Sequence, residues 1–417
     1  MRQTFVIVGG GLTAGAAAST LRAEGFDGDL VLIGQESHPP YERPPLSKEY
    51  LRGEQPFEKS LLLPEAWYAD NAVELLLGTR VERIDPADRV VQLADGGAVS
   101  YDRVLVATGG RNRALAVPGH QLEGILELRS VEDADVIRNE AAAGTRAVLV
   151  GAGFIGSEVA ASLRALGVEV DVVEIFDLPL QRVVGHDIGR LYEAIHRDHG
   201  VRFHFGQTVE RFEGTRRVEA VVTDRDVRIE CDFAVVAVGI EPSTRTVAGS
   251  VFEIDNGILV DERCRTNVPD VFAAGDVANH VHPVFGRRLR VEHYDNALKQ
   301  GAAAARCMLG RTEAFDDLHW FWSDQYELNL QYLGHAPVWD ELVIRGNMQE
   351  RSFVGFYLRK GLVDAVVGMN RGREVRRSAN LIRARRPVDP EVLRQDVVDL
   401  KALGANLLHA SRTEGNP

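Results

Sequence analysis

Two glycine-rich turns of one design, 142 positions apart, constrain this chain more than any other feature. The first follows Phe5-Val6-Ile7-Val8, an apolar run of strand formers. That run passes without a spacer into Gly9-Gly10-Gly11-Leu12-Thr13-Ala14-Gly15. Residues 16–22, rich in alanine, then read as helix with Leu21 on the buried side. Strand, glycine turn and helix in that order form the dinucleotide-binding fingerprint, here Gly9-x-Gly11-x-x-Ala14. Gly9 permits the tight turn, and Gly11 lets backbone approach a pyrophosphate at the helix N-terminus. Ala14 still allows close contact between helix and strand. The second copy runs from Ala147-Val148-Leu149-Val150 into Gly151-Ala152-Gly153-Phe154-Ile155-Gly156, with all three glycines in place.

The surroundings repeat as well. Leu30-Val31-Leu32-Ile33 leads to Glu36, and Val170-Asp171-Val172-Val173 leads to Glu174. An acid in that place accepts hydrogen bonds from ribose hydroxyls. Asp102-Arg103-Val104-Leu105-Val106-Ala107-Thr108-Gly109 is paralleled by Asp232-Phe233-Ala234-Val235-Val236-Ala237-Val238-Gly239. Repetition on this scale predicts an α/β chain with two Rossmann-like dinucleotide-binding domains, not a solenoid. Glu174 is followed by Ile175-Phe176-Asp177, with no arginine before Arg182. A carboxylate there repels a 2′-phosphate and accepts bonds from a free hydroxyl, so the second site is read as taking NADH.

At 417 residues the chain has room for two or three domains. Its net charge of −13 argues against nucleic acid as a general partner. No uninterrupted apolar run approaches the roughly 18 residues that suggest a membrane span. The N-terminal stretch superficially resembles a secretory signal, but cleavage would remove the first fingerprint. Cys231, Cys264 and Cys307 are widely spaced singles that suit a reducing cytoplasm and read as buried small apolar residues. His280, His282 and His293 lack a carboxylate or cysteine at matching spacing, so no metal site is expected.

Tyr41-Glu42-Arg43-Pro44-Pro45-Leu46-Ser47-Lys48 makes a stiff entry in which Ser47 is placed to cap a helix over residues 48–51. Val73 to Asp95 and Val99 to Gly109 alternate apolar and polar residues, predicting a small β-rich insertion. From His319 onward the texture changes. Trp320, Trp322 and Trp339 stand among alternating segments that predict a small α+β domain with an aromatic core. Pro387 is read as ending a helix, and Ser411 to Pro417 as a disordered tail.

With these motifs the chain resembles the FAD-dependent, NADH-using ferredoxin reductases that serve bacterial oxygenases, within the glutathione-reductase-like flavoproteins. The resemblance spans essentially the whole chain. It implies a discontinuous FAD domain (residues 1–112 and 241–318), an NADH domain (113–240) and a C-terminal interface domain (319–417). FAD contacts are implied for Gly9, Gly11, Leu12, Thr13, Ala14, Glu36, Arg43, Lys48, the segment Ala107-Thr108-Gly109, and Arg129. The run from Arg265 to Asp276 matches the family's second FAD motif, in which Asp276 bonds the ribityl chain at a helix start. Glu292, His293 and Tyr294 resemble the next flavin-contacting segment, although the family more often has tryptophan at Tyr294. Trp322 lies in the interface-domain motif, where His319 replaces a common proline.

NADH contacts are implied for Gly151, Gly153, Phe154, Ile155, Gly156, Glu158 and Glu174, with Val238 and Gly239 closing the site. Lys48 and Glu158 are implied to form a catalytic ion pair beside the flavin. Glu158 also suits the first turn of a helix on dipole grounds alone. Disulfide reductases of the wider class carry a redox cysteine near position 48; none is found here, which removes thiol chemistry.

The expected activity is therefore hydride uptake from NADH and single-electron delivery to a [2Fe–2S] ferredoxin, and through it an oxygenase. Two other readings are a redox-state signalling flavoprotein of the apoptosis-inducing-factor type and a quinone or small-radical reductase. Arg371, Arg373, Arg376, Arg377, Arg383, Arg385 and Arg386 share sixteen residues with one acid, Glu374. Either that run is a solvated helix face or it docks an acidic ferredoxin.

Overall fold

The computed structural model of the chain describes residues 2–249 and 251–414. It resolves into two compact units, one of residues 1–42, 57–111 and 240–319, the other of 43–56, 112–239 and 320–417.

The first unit is built on a five-stranded parallel sheet in the order Val271–Ala273, Arg103–Val106, Thr4–Val8, Asp29–Ile33, Val73–Leu76. Its strands are near-continuous apolar runs because both faces are covered, as parallel sheets require. Phe5, Ile7, Leu30, Leu32 and Leu105 pack on one face against the helices Leu12–Ala23 and Tyr294–Met308. Val6, Val8, Val31, Val104 and Val106 pack on the other, partly against the antiparallel strands Val81–Asp85, Val90–Leu93 and Ala98–Ser100. That small sheet is the expected β-rich insertion.

The second unit repeats the plan. Its parallel sheet runs Arg202–Phe205, Glu169–Glu174, Arg146–Val150, Phe233–Val236, Ile125–Glu127. A three-stranded antiparallel insertion again precedes the returning strand, here Val209–Glu213, Ala220–Thr223 and Arg228–Glu230. The same side-chain device ties the returning strand to the first one in both copies. Asp102 Oδ2 accepts from the Thr4 amide at 2.7 Å, and Asp232 Oδ2 accepts from the Arg146 amide at 2.8 Å. The paralleled aspartates in the sequence have this common cause.

Residues 320–369 of the second unit form a five-stranded antiparallel sheet, ordered Trp320–Gln325, Leu328–Gly334, Leu362–Met369, Ser352–Arg359, Glu341–Asn347. Its inner face packs on the helix Gln181–Asp198 through Leu180, Val184, Ile188, Tyr192, Phe321, Leu330, Phe353 and Tyr357. Tyr357 donates its hydroxyl to the Val184 carbonyl at 2.9 Å. Gly185 there takes φ 80°, and a Cβ at that position would lie 2.7 Å from the Trp339 ring.

Three local expectations are corrected. The helical turn after Arg43 is a 3₁₀ turn over Pro44–Ser47, not a helix from Lys48; prolines suit a first turn because their missing N–H needs no partner there. The helix Ala379–Ala384 ends at Arg385, which takes a left-handed φ of 50°, two residues before Pro387. The helix Leu400–Glu414 runs through the tail expected to be irregular from Ser411, and residues 415–417 lie outside the described ones.

The fingerprint helix of the first unit depends on one close approach. A Cβ on Gly301 would sit 2.5 Å from the Thr13 carbonyl oxygen, a backbone atom that has no rotamer to yield. Gly301→Val should therefore cost about 1–3 kcal/mol of stability, read as a lower urea midpoint, with Gly301→Ala losing less. Unchanged midpoints would show that the two helices part freely.

Candidate functional site

Each unit carries one glycine cradle, and the two are built alike. Gly9 and Gly151 adopt φ of 132° and 101°, where side chains are disfavoured. Their amides donate to the carbonyls of Ile33 and Val173, both at 2.8 Å. A Cβ on Gly9 would lie 2.1 Å from the Ala107 oxygen, and one on Gly151 2.6 Å from the Ala237 oxygen. By contrast, a Cβ on Gly11 or Gly153, the residues that begin the helices Leu12–Ala23 and Phe154–Ala165, would meet nothing within 4 Å. Neither helix has a side-chain cap or an acid in its first turn, whereas Val131–Glu140 has a full capping box from Ser130 and Asp133. Open space over uncapped amides is a cradle for an anion such as a dinucleotide pyrophosphate. The residues present fit that group in both units.

Leu12, Thr13 and Ala14 form the first turn after the first cradle, with Thr13 and Ala14 buried. In the second, Phe154 packs edge-on against Phe321, 4.8 Å between centroids, and Gly156 closes on the Gly151 carbonyl. Ile155, Ile175, Phe176 and Val238 are exposed apolar residues following the cradle and the strands Glu169–Glu174 and Phe233–Val236. They border the C-terminal ends of those strands, where ligands bind on such sheets. Glu174 is buried there. Its Oε2 accepts from the Ala152 amide at 2.5 Å and its Oε1 from the Phe176 amide at 2.9 Å, each oxygen keeping a second lone pair. Gly239 turns the chain out of the sheet with φ 96°.

Lys48 and Glu158 meet in the second unit. Lys48 Nζ lies 2.9 Å from Glu158 Oε2, with side chains 6% and 4% exposed. Glu158 stands in the second turn of its helix rather than the first, so the helix terminus does not account for it. A buried charge needs a full set of partners. Ser47 Oγ donates to Glu158 Oε2 at 2.5 Å and Ser323 Oγ to Oε1 at 2.7 Å. Sequence reasoning missed both serines in this role. Ser47 was read as a helix cap; Ser323 carries the clearer signal, a polar residue on the inward face of Trp320–Gln325, between buried Phe321 and Gln325.

The remaining implied residues fall as follows. Glu36 accepts a short hydrogen bond from the Tyr41 hydroxyl, and Arg43 donates to the Arg129 carbonyl, while the Arg129 amide donates to Asp133 at 2.8 Å. Thr108, between Ala107 and Gly109, donates to the Ser243 carbonyl at 2.7 Å. Asp276 lies in a 3₁₀ turn over Gly275–Val277, not at an α-helix start. Glu292 pairs with Arg290 at 2.7 Å, and His293 precedes the helix Tyr294–Met308. The Tyr294 hydroxyl donates to Glu42 at 2.6 Å; burial first, then that carboxylate, pushes its pKa upward. Trp322 is half-buried and stacks on Trp320, 5.2 Å between centroids.

The arginine run is less free than its sequence suggests. Arg371 pairs with Glu374 and Asp396, Arg385 with Asp364, and Arg376 donates to Gln331. Arg373 and Arg376 are the exposed members on the helix Gly372–Arg377.

The three cysteines are buried and unbridged. Burial pushes the Cys231 thiol up to about 12 and raises Cys264 and Cys307, the reverse of what a thiolate nucleophile needs. His280 and His282 gather with His319, not with His293, their ring nitrogens within 4.8 Å. His282 Nε2 donates to the Asp317 carbonyl at 2.9 Å and its Nδ1 accepts from the Val284 amide at 3.2 Å, which commits both nitrogens. No described helix is long and apolar enough to cross a membrane.

Residues 3–301 match the family model described as pyridine nucleotide-disulphide oxidoreductase, and residues 320–404 match the reductase C-terminal model. The chain is 38% identical to the 5,5'-dehydrodivanillate O-demethylase ferredoxin reductase subunit of a Sphingobium species, covering 96% of this chain and 98% of the relative. It is 37% identical to the biphenyl dioxygenase system ferredoxin–NAD(+) reductase component of Paraburkholderia xenovorans, over the full length of both. The crystal structure of the covalent putidaredoxin reductase–putidaredoxin complex matches with a TM-score of 0.93 at 34% identity, covering 98% of this chain and 99% of that one.

The position of Glu174 yields a direct expectation. Its carboxylate should favour NADH over NADPH by roughly 100-fold in kcat/KM, equivalent to about 3 kcal/mol of like-charge repulsion. Glu174→Ala combined with Phe176→Arg should erode that preference in steady-state assays. Equal use of both nucleotides by the unaltered protein would remove Glu174 from the role.

Proposed function

The chain belongs to the pyridine nucleotide-disulphide oxidoreductases, among their ferredoxin–NAD(+) reductases, and we propose from its sites how that work is divided. It is a flavoprotein oxidoreductase that accepts a hydride from NADH and hands electrons singly to a [2Fe–2S] ferredoxin serving an oxygenase. One observation carries the reading: two matched glycine cradles in a protein whose thiols are all buried and raised in pKa. Two dinucleotides without a redox disulfide leave an external acceptor as the outlet for electrons.

The FAD domain comprises residues 1–112 and 241–318, the NADH domain 113–240 and the interface domain 319–417. Gly9, Gly11, Leu12, Thr13 and Ala14 hold the FAD pyrophosphate, Glu36 its ribose, and Ala107, Thr108, Gly109, Asp276, Glu292, His293 and Tyr294 the remainder. Arg43, Lys48, Arg129 and Trp322 complete that set. FAD, when bound, supplies the two-electron to one-electron conversion that no side chain here provides. Gly151, Gly153, Phe154, Ile155 and Gly156 hold the NADH pyrophosphate, Glu174 the adenosine ribose, and Val238 with Gly239 the nicotinamide end.

With FAD bound, Lys48 would supply a preorganised cation, in a water-poor setting, for the negative charge that hydride uptake creates. Glu158 keeps that ammonium in place through a hydrogen bond of 2.9 Å. Free cysteines and the likeness to oxygenase components support a cytoplasmic setting.

Stopped-flow mixing with NADH, then with candidate [2Fe–2S] ferredoxins, tests the whole reading. Fast flavin bleaching followed by slow or absent iron–sulfur reduction would favour a signalling flavoprotein instead. Lys48→Met should retain FAD but slow bleaching by NADH, with Glu158→Ala adding less than its separate effect. Strictly additive effects would mean that the two act apart.

Docking of an acidic ferredoxin is assigned to Arg373 and Arg376, the exposed members of the arginine run that also includes Arg371 and Arg377. Reversing both to glutamate should raise the ferredoxin KM severalfold and flatten its salt dependence, since exposed charges steer association mainly through kon. Bleaching by NADH should not change. If turnover and its salt dependence stay as they were, the partner docks elsewhere.

A further inference from the structure

Glu158 is the end of a chain of buried hydrogen bonds that runs away from Lys48. Ser323 Oγ donates to Glu158 Oε1 at 2.7 Å, and Gln325 Nε2 donates to Ser323 Oγ at 3.0 Å. Gln325 Oε1 lies 2.8 Å from His196 Nε2, and the Tyr326 hydroxyl lies 2.9 Å from His196 Nδ1. Ser323, Gln325 and His196 are at most 1% exposed.

The direction of every bond follows from the carboxylate. An ionised Glu158 only accepts, so the Ser323 hydroxyl donates its one hydrogen there. Its lone pair then takes a hydrogen from the Gln325 amide nitrogen. The reverse amide orientation would require two hydrogens on Ser323. Gln325 therefore turns its carbonyl to His196, which must carry its proton on Nε2 and accept at Nδ1 from Tyr326. All four donors point toward Glu158. The amide at Gln325 does not pass protons readily, so the chain transmits orientation and polarity rather than a proton.

We propose that Ser323, Gln325 and His196 form a polarised hydrogen-bond chain that fixes the Glu158 carboxylate against Lys48, making all three positioning residues for hydride uptake. The proposal rests on the role given above to the Lys48–Glu158 pair. In a dry interior, aligned dipoles reinforce one another and hold a distant charge more firmly than each bond alone. The strand Trp320–Gln325 places two polar residues on its inward face, where apolar side chains would pack without needing partners. Tyr326 takes a left-handed backbone, φ 55°, at the two-residue turn after that strand. This strained conformation delivers its hydroxyl to His196.

His196 stays neutral over the working range. Burial lowers its pKa to about 4, the Gln325 bond opposing and neighbouring His199 assisting. Arg164 and Glu327 act on Tyr326, whose ring stacks on His199 at 3.5 Å, and Arg197 lies over the Phe203 ring that packs edge-on against His196. The Nε2–H tautomer that the chain requires is thus not titrated away.

The test compares Ser323→Ala, Ser323→Thr, Gln325→Leu and Glu158→Gln by stopped-flow bleaching with NADH, alongside 15N NMR of histidine-labelled holoenzyme. Ser323→Ala should slow bleaching about tenfold, the loss of one hydrogen bond to a charged group, with NADH affinity unchanged. Ser323→Thr should restore it to within about twofold, because its hydroxyl keeps the bond. Ser323→Ala should add nothing in the Glu158→Gln background. NMR should show His196 as the Nε2–H tautomer, constant from neutral pH to well below the usual histidine range, and altered in Gln325→Leu. A slow Glu158→Gln beside a Ser323→Ala of unaltered rate would overturn the chain while leaving the pair intact, as would an Nδ1–H tautomer. A Glu158→Gln of normal rate would overturn the pair's role and this proposal with it, whichever tautomer NMR reports.

Discussion

A single buried carboxylate organises the second unit. Glu158 collects hydrogen bonds from Ser47, Lys48 and Ser323, three residues brought in from two distant stretches of chain. Removing Lys48 would leave a charge uncompensated in a dry interior, at a cost that commonly reaches about 3–5 kcal/mol for a buried pair, and removing either serine would forfeit a hydrogen bond to a charged group, worth about 1.5–3 kcal/mol. The 3₁₀ turn Pro44–Ser47, the helix Phe154–Ala165 and the strand Trp320–Gln325 are therefore bound to one another by charge as well as by apolar packing. This explains why residues 43–56 belong with the second unit although residues 1–42 belong to the first.

Duplication sets the rest. The two parallel sheets share their strand–cradle–helix core, their antiparallel insertions and the aspartate that pins the returning strand. They differ in the closing residue of the cradle and in the acid that follows the second strand. The first cradle is closed by Ala14 and followed by Glu36, bonded to Tyr41 from a loop three residues past its strand. The second is closed by Gly156, and Glu174 ends its strand directly, drawn onto the Ala152 amide of the glycine turn. A carboxylate fixed by the turn itself is well placed to discriminate at a ribose.

Local features were legible in the sequence because they obey short-range rules. Gly9, Gly11, Gly151 and Gly153 are demanded by φ and by open space at a helix start, and the apolar runs around them by a sheet covered on both faces. What escaped depends on partners far along the chain. The bond from Ser47 to Glu158 spans 111 positions and that from Ser323 spans 165, and no periodicity reports such a pairing. Local rules also misled: two prolines suggested the approach to a helix, but they are the turn itself, and the serine after them serves a carboxylate instead of an amide.

The arginine run shows the same limit in reverse. In sequence it holds one acid among seven arginines, an apparent concentration of charge. Folding brings Asp364 to Arg385 and Asp396 to Arg371 from outside the run. Arg345, 5% exposed, also shares Glu374 and Asp396, so those acids serve the interior as much as the surface. A guanidinium committed to a neighbouring carboxylate contributes little to the field a partner meets, because the pair is nearly neutral at a distance. Residues whose charge is not offset nearby are the ones left to act outward, and Arg373 and Arg376 are exposed on one short helix of the C-terminal region. Sequence density of charge is thus a poor guide to a docking face, and the ion-pair partners supplied by folding decide which cations act outward.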